Sequence, residues 1–473
     1  MTHGVSFNVA DTKLLAPVAS DINLIFAVGT APINLADTSN VNQIKLCNTY
    51  DEAISFFGKS DNFTDYTLSE VIDCEFSLMN SAPIVLVNVL DPAKHYTTVI
   101  ESAVIVNNQA TLVAKGVILS TVVVKVGTDT MTLGEDYSLE FTDTGLCRIN
   151  IITDGLIEST DTLSISLNRL DVSKVTADDI IGGYNNATGK YTGLWLVDQV
   201  FPQTRKVVMQ IVCPEYSKNS EIEAVMKAKA NKVNGLFGAA AVVDLDDSAL
   251  DNYAAAPAKK VQSNYTSQYE DVCLGSVGLG SKRYRLSTQF ACLTHRIAGL
   301  NNSPHVSSSN KALQMDSYYV NSQQVNLEQR QANYLNENGI ITALNFIEWT
   351  AWGNRTGAFP ASTDPVKVFS QQRNLFNWIG NTLILTYWKK VDDPTNRPLI
   401  DDVVKSINIW LNGLTARGVL LGGSVEFNKA ENQLTDLIAG KIKFRLKLAG
   451  PIPAEDILFT LEFDTSLLSN ISA

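Results

Sequence analysis

The segment Lys441-Ile442-Lys443-Phe444-Arg445-Leu446-Lys447-Leu448-Ala449-Gly450-Pro451-Ile452-Pro453-Ala454-Glu455-Asp456-Ile457-Leu458-Phe459-Thr460-Leu461-Glu462-Phe463-Asp464 carries two alternating patterns separated by a proline-rich break. In the first, Lys441, Lys443, Arg445 and Lys447 alternate with Ile442, Phe444, Leu446 and Leu448. In the second, Ile457, Phe459, Leu461 and Phe463 alternate with a register holding Asp456, Thr460, Glu462 and Asp464, interrupted by Leu458. Period-two alternation is the mark of half-buried strands. Pro451 and Pro453 remove backbone donors and push the residues before them toward extended geometry, so Gly450–Glu455 is unsuited to a tight turn. A strand launched this way can fold back as a hairpin or add to another chain's sheet, and the pattern leaves both open. Burying each apolar side chain contributes roughly 1.5–3 kcal/mol. An exposed ion pair contributes about 0–1 kcal/mol. The apolar face therefore supplies affinity, and the opposed charges are expected to set register.

Working outward, 473 residues exceed one simple core and predict two to four domains. Hydrophobic residues make up 45% and charged residues 18%, the balance of a folded, soluble chain. A net charge of −12 argues against a nucleic-acid groove binder, which needs concentrated Lys and Arg on one face. Six scattered cysteines, Cys47, Cys74, Cys147, Cys213, Cys273 and Cys292, read as buried thiols made in a reducing compartment. The amino terminus shows no signal-peptide pattern, and runs such as Leu24–Val28 and Leu236–Val243 are far short of the roughly 20 residues that cross a bilayer. No membrane insertion is expected.

Along the chain, Val5, Phe7 and Val9 alternate with polar neighbours and predict a short free strand ahead of the first domain. Leu24–Gly29 and Ala82–Leu90 read as buried strands, with a helix at Tyr50–Phe57 ended by Gly58. From about Tyr96 to Val175 the texture changes to short β-branched runs divided by Gly127, Gly134, Gly145 and Gly155, predicting an all-β unit inserted in the flanking fold. Val207–Val212, Ser220–Val233 and Ala239–Val243 then alternate strand and helix, the pattern of an α/β core, which Val272–Val277 and the Leu335–Ile347 region continue. Val366–Trp388 and Leu399–Leu414 predict helices, Ser424–Asn428 a strand, and Lys429–Ala439 a helix capped by Gly440.

Chemistry-bearing motifs are sparse. Gly275 to Lys282 is glycine-rich but fits neither phosphate-binding fingerprint, and reads as a turn. His295 and His305 near Cys292 form the closest potential ligand cluster, without the paired spacing that a metal requires. No nucleophile elbow is present, and the adjacent carboxylates at Asp178-Asp179, Asp246-Asp247, Asp392-Asp393 and Asp401-Asp402 diverge as helix starts or solvated loops. Trp349 and Trp352 read as core or interface aromatics. No cofactor, metal or catalytic residue is predicted.

Several segments together resemble the tail sheath proteins of contractile-tailed phages and R-type pyocins. They are Gly4-Val5, Val28-Gly29-Thr30-Ala31-Pro32, Ala82–Val87, Gly189–Leu194, Leu335-Asn336-Glu337-Asn338-Gly339-Ile340, Trp352-Gly353-Asn354-Arg355-Thr356, Ala439-Gly440-Lys441 and Pro451–Glu455. The resemblance implies an α+β multidomain chain: an α/β core, a C-terminal α+β domain with an arm-exchanged β-sheet, and an inserted all-β domain of variable occurrence. The implied divisions are an N-terminal arm and linker at 1–20, core segments at 21–96 and 175–360, a protruding domain at 97–174, a C-terminal domain at 361–452 and a C-terminal arm at 453–473. It also implies a structural subunit and not an enzyme, forming stacked hexameric rings around an inner tube protein, in contact with baseplate and terminator proteins. Assembly in the host cytoplasm into a virion tail or tail-like bacteriocin particle is expected. Under this resemblance Val5, Phe7, Val9, Ile457, Phe459, Leu461 and Phe463 are arm residues, and Val425, Phe427, Ile442, Phe444 and Leu446 lie on accepting strands. Flexible segments near Asp11–Ser20 and Gly450–Glu455 are expected to tether the arms, and Lys429, Lys441 and Lys443 are candidate tube contacts. The inserted unit leaves an adhesin as the competing reading, and the α/β core an enzyme.

Overall fold

The computed structural model describes residues 17–471. Its largest sheet is built from short apolar runs: β1 (Ile25–Gly29), β2 (Lys45–Cys47), β3 (Ile84–Asn88), β4 (Gln210–Val212), β5 (Ala240–Leu245) and β6 (Glu270–Leu274). The order is β6-β5-β4-β1-β3-β2, parallel throughout except for the antiparallel edge strand β2. Parallel strands require crossovers, and crossover helices cover both faces. Every residue of β1, β3, β4, β5 and β6 is accordingly buried, which is why these runs lack polar alternation.

The covering helices include α1 (Tyr50–Phe57), α2 (Ser220–Asn231) and α3 (Leu286–Asn301). Thr49 caps α1 by accepting from the Glu52 amide, and Gly58 ends it at φ 80°. All six cysteines are free and buried. Ile341 adds one parallel bridge to Cys273 of β6, after which Thr342–Asn345 leaves the core and pairs with Trp349–Trp352 in an antiparallel sheet. The Leu335–Ile347 region thus continues the α/β core only at that bridge. The glycine-rich Gly275–Lys282 stretch is a hairpin, pairing Ser276–Leu279 with Lys282–Arg285.

Between β3 and β4 the chain builds a β-rich unit with its own apolar core, including Leu112, Val124, Ile149, Leu163 and Ile165. Tyr96–Val104 pairs antiparallel with Thr162–Leu170 over its full length, so the residue at which the chain enters, Tyr96, lies opposite Leu170, where it leaves. Four strands form one sheet and three another. A cleft of about 1430 Å³ separates this unit from the first core segment, lined among others by Tyr66, Glu101, Lys115 and Arg169.

The C-terminal part packs two long helices, α4 (Ser370–Tyr387) and α5 (Arg397–Ala416), against a two-stranded antiparallel sheet, β7 (Gly422–Glu426) with β8 (Arg445–Ala449). Its core joins Leu375, Trp378, Val403, Ile407, Leu411, Leu414 and Val425, with Met209 reaching in from the α/β core. The predicted helix at Lys429–Ala439 is instead a 3-10 turn, Lys429–Glu431, followed by a short helix, Leu434–Ile438. Asn432 divides them, because its side chain accepts from the Lys443 amide at 2.7 Å and donates to the Lys443 carbonyl at 2.9 Å. No helix among the described residues is long and apolar enough to cross a membrane.

Candidate functional site: the C-terminal sheet and the exit of the chain end

β7 and β8 pair only with one another among the described residues, leaving an outer edge on each strand. A lone two-stranded sheet is marginal in water and needs a packing surface. α5 supplies it, and Asn408 fixes the docking: its Oδ1 accepts from the Val425 amide at 3.0 Å while its Nδ2 donates to the Val425 carbonyl at 3.1 Å. Val425 is buried, pairs in register with the half-buried Leu446, and lies next to Phe427, which meets Phe444 edge-on at 6.0 Å. Ile442 and Phe444 are half-buried, but they precede β8, which begins at Arg445 and not at Lys441 as the alternation predicts.

The basic register is not held open for the acidic segment that follows it. Lys447 pairs with Glu426 at 3.0 Å, Lys443 with Asp436 at 2.9 Å, and Arg445 with Glu431. Of the candidate tube contacts, Lys443 therefore already has a carboxylate partner, while Lys429 and Lys441 are exposed at either end of the 429–440 connection. These exposed pairs are individually weak, about 0–1 kcal/mol each. Within the single chain Glu426, Glu431 and Asp436 therefore neutralise the bases that the alternation assigns to the tail's acids.

The segment after β8 is pinned and then released. Gly450 sits so close to α4 that an added Cβ would meet Gln372 Oε1 at 2.5 Å and Leu375 Cδ2 at 2.7 Å. The Pro451 carbonyl accepts from Gln371 Nε2 at 2.7 Å and Gln372 Nε2 at 2.6 Å. Glu455 receives both arms of the Arg355 guanidinium, Nε at 3.0 Å from Oε1 and Nη2 on Oε2. In the single chain Gly450–Glu455 is thus a clamped strap, where the resemblance implies a flexible tether. Beyond it the residues have no regular structure up to Asp464, and Ile457, Phe459, Leu461 and Phe463 are 68%, 83%, 97% and 77% exposed. Folding back as a hairpin on β8 is excluded, since β8 has only β7 as a partner among the described residues. Val5, Phe7 and Val9 lie outside the described residues. The chain behind them is anchored, however: the Val18 amide donates to Thr386 Oγ1 at 2.9 Å and the Ser20 amide to Thr382 Oγ1 at 3.2 Å, both on α4.

Segments far apart in sequence meet here. Asn336, from Leu335–Ile340, accepts from the Asn354 amide at 3.1 Å, and Asn354, from Trp352–Thr356, offers its carbonyl to the Ser370 amide at 3.0 Å. Arg355 then reaches Glu455 of Pro451–Glu455. Gly353 adopts φ +138°, and a Cβ there would meet Ile341 Cα at 2.9 Å, so the turn that aims Arg355 requires glycine.

The α/β core holds its own perturbed groups, among them Glu270, raised to about 9 by burial and the neighbouring Glu223. Burial also raises Glu70 to about 8, Asp271 to about 7 and Asp244 to about 6, and none of the four acids lines the large cleft. His295 is taken up by Glu75 at 2.6 Å and His305 by Ser303 at 2.6 Å. Among the described residues no group of His, Cys, Asp and Glu side chains could hold a metal ion.

No family model matches the chain. The tail sheath protein of Burkholderia phage BcepMu is 26% identical over 464 residues, covering 94% of this chain and 93% of that one. Over almost its whole length, then, this chain is similar to a tail sheath protein. The tail sheath protein of Escherichia phage P2 is 26% identical over 140 residues, 30% of this chain and 34% of that one. Among solved structures, the sheath of the extracellular contractile injection system PVC in its contracted state superposes with a TM-score of 0.59 at 13% identity, over 98% of this chain and 99% of that chain. The contracted helical sheath of the anti-feeding prophage gives the same TM-score, identity and coverage. At such identities these likenesses establish the shared fold of sheath proteins, an α+β arrangement of several sheets. The names of these relatives are those of structural proteins, and an α/β core by itself assigns no activity.

Proposed function

We propose that the chain is the structural subunit of a contractile tail sheath. It polymerises as stacked hexameric rings around an inner tube, and shortening of the polymer drives the tube through a target envelope. One observation carries this reading: a two-stranded sheet with open edges shares a module with the exposed apolar side chains of Ile457, Phe459, Leu461 and Phe463, whose segment pairs with no strand among the described residues. Strand addition satisfies both, with backbone bonds giving strength and alternate side chains giving specificity. Ile457, Phe459, Leu461 and Phe463 are the donated face, and β7 and β8 of another copy accept it, together with Val5, Phe7 and Val9 from a further copy. Arms survive sliding of rigid bodies because each subunit is held at several points, so modest contacts add up through multivalency.

The β-rich unit at 97–174 projects from the sheath surface as an inserted domain. Lys429 and Lys441 face the tube protein in a contact weak enough to release, and the ring ends meet baseplate and terminator proteins. The particle is a virion tail or tail-like bacteriocin assembled in the host cytoplasm. The purified chain, concentrated and viewed by electron microscopy, is expected to form hollow striated cylinders. Persistent monomers at high concentration count against the reading, as do normal cylinders from a chain lacking residues 456–473.

A further inference from the structure

We infer that Arg355 and Glu455 form a latch that fixes the point at which the C-terminal segment leaves the body. Movement between copies then pivots at Glu455–Asp456 and not at the prolines before it. This rests on the sheath reading for its role in assembly, but the latch itself is a property of the single chain.

Both halves are held rigidly. Arg355 stacks over Phe359 and Phe369, with guanidinium carbon to ring-centroid distances of 4.4 and 4.1 Å. Its backbone bridges Phe369, and the adjoining Thr356 donates its amide to the Val368 carbonyl at 2.8 Å and its hydroxyl to the Lys367 carbonyl at 2.6 Å. The guanidinium is therefore pre-oriented by the folded core, and its planar fork matches a carboxylate as no ammonium could. The Arg355 side chain is 15% exposed and that of Glu455 35%, so the pair is shielded on one side and open on the other. Four residues lie between the inner anchor at Pro451 and the pivot: Ile452, Pro453, Ala454 and Glu455. If the latch opens, they join the tether and lengthen its reach by about 13–14 Å at 3.3–3.6 Å per residue. That is nearly three strand spacings of about 4.8 Å, enough for an arm to meet the wrong edge. The latch thus restricts the arm to one edge of one neighbouring copy.

The test uses the full chain carrying spin labels at Thr363→Cys on the body and Ala454→Cys on the strap, both exposed positions, while the native cysteines are buried. At concentrations below assembly, the unaltered pair should give one narrow distance. Glu455→Ala removes the carboxylate, and Arg355→Lys keeps the charge while losing the fork and the ring stacking. Each should broaden the distribution at least twofold without moving the melting temperature by more than a few degrees, whereas the control Leu458→Gln should leave it narrow. Equal widths in all four proteins would overturn the latch. Unlabelled Glu455→Ala should assemble with irregular striation, and regular cylinders of wild-type spacing would also overturn its proposed role. If the unaltered chain makes no cylinders, the sheath reading fails, while the label distances still decide the latch.

Discussion

Replacing Phe459 and Leu461 together by alanine should separate folding from assembly. In the single chain these side chains are 83% and 97% exposed, so truncation leaves the monomer's unfolding free energy within about 0.5 kcal/mol, the range of ordinary surface changes. In a strand-exchanged polymer each ring or isobutyl group would be buried, a contribution of roughly 1.5–3 kcal/mol apiece or about 3–6 kcal/mol for the pair. At about 1.4 kcal/mol per decade this weakens each arm contact roughly a hundred- to ten-thousand-fold. Leu411→Ala is the counterpart: it is fully buried in the C-terminal core, so it should cost the monomer about 2–5 kcal/mol. Denaturant unfolding of the monomer and sedimentation across a concentration series measure the two quantities. The reasoning is refuted if the double variant loses more than about 1 kcal/mol as a monomer, or if it polymerises at the wild-type critical concentration.

Asn408→Ala strips the bracket on Val425 and leaves its amide and carbonyl without that partner, so denaturant unfolding should show a loss of about 1–3 kcal/mol. Gly353→Ala should destabilise by about 1–3 kcal/mol, from its positive φ and the approach of Ile341, seen as a lowered melting temperature. Asp271 is raised by burial from 3.8 to about 7, so the folded state keeps a proton that the unfolded state releases. Its stabilising contribution is complete below about pH 4 and is lost as pH rises to about 7, up to about 4 kcal/mol across that window. Asp271→Asn should flatten the measured stability profile there, in part only, because Glu70 and Asp244 shift in the same direction. Lys447→Gln, which breaks only an exposed pair with Glu426, should change monomer stability by less than about 1 kcal/mol.

The α/β core was readable because its strands are buried on both faces, so Leu24–Gly29 and Ala82–Leu90 contain unbroken apolar runs, and Gly58 marks a helix end by the conformation it alone tolerates easily. The alternation at 441–448 also reads correctly as faces, with exposed basic side chains and half-buried apolar ones. It overruns in extent, because ladder bonds begin only at Arg445, and it is silent on the acids of β7 and of the connection after it that neutralise the bases within the single chain. The 429–439 helix was misread for a tertiary reason: Asn432 gains more by bridging Lys443 than by continuing a helical turn. The clamped strap was illegible, since prolines report local stiffness and say nothing of an arginine a hundred positions away.

α4 touches both chain ends. Its Thr382 and Thr386 hold the incoming segment at Ser20 and Val18, and its Gln371 and Gln372 hold the outgoing one at Pro451. Thr386 and Gln371 are separated by about 22 Å of helix at 1.5 Å per residue. A pull on either anchored segment is consequently passed along a stiff rod to the other, and in the proposed polymer such rods would relay axial tension from copy to copy.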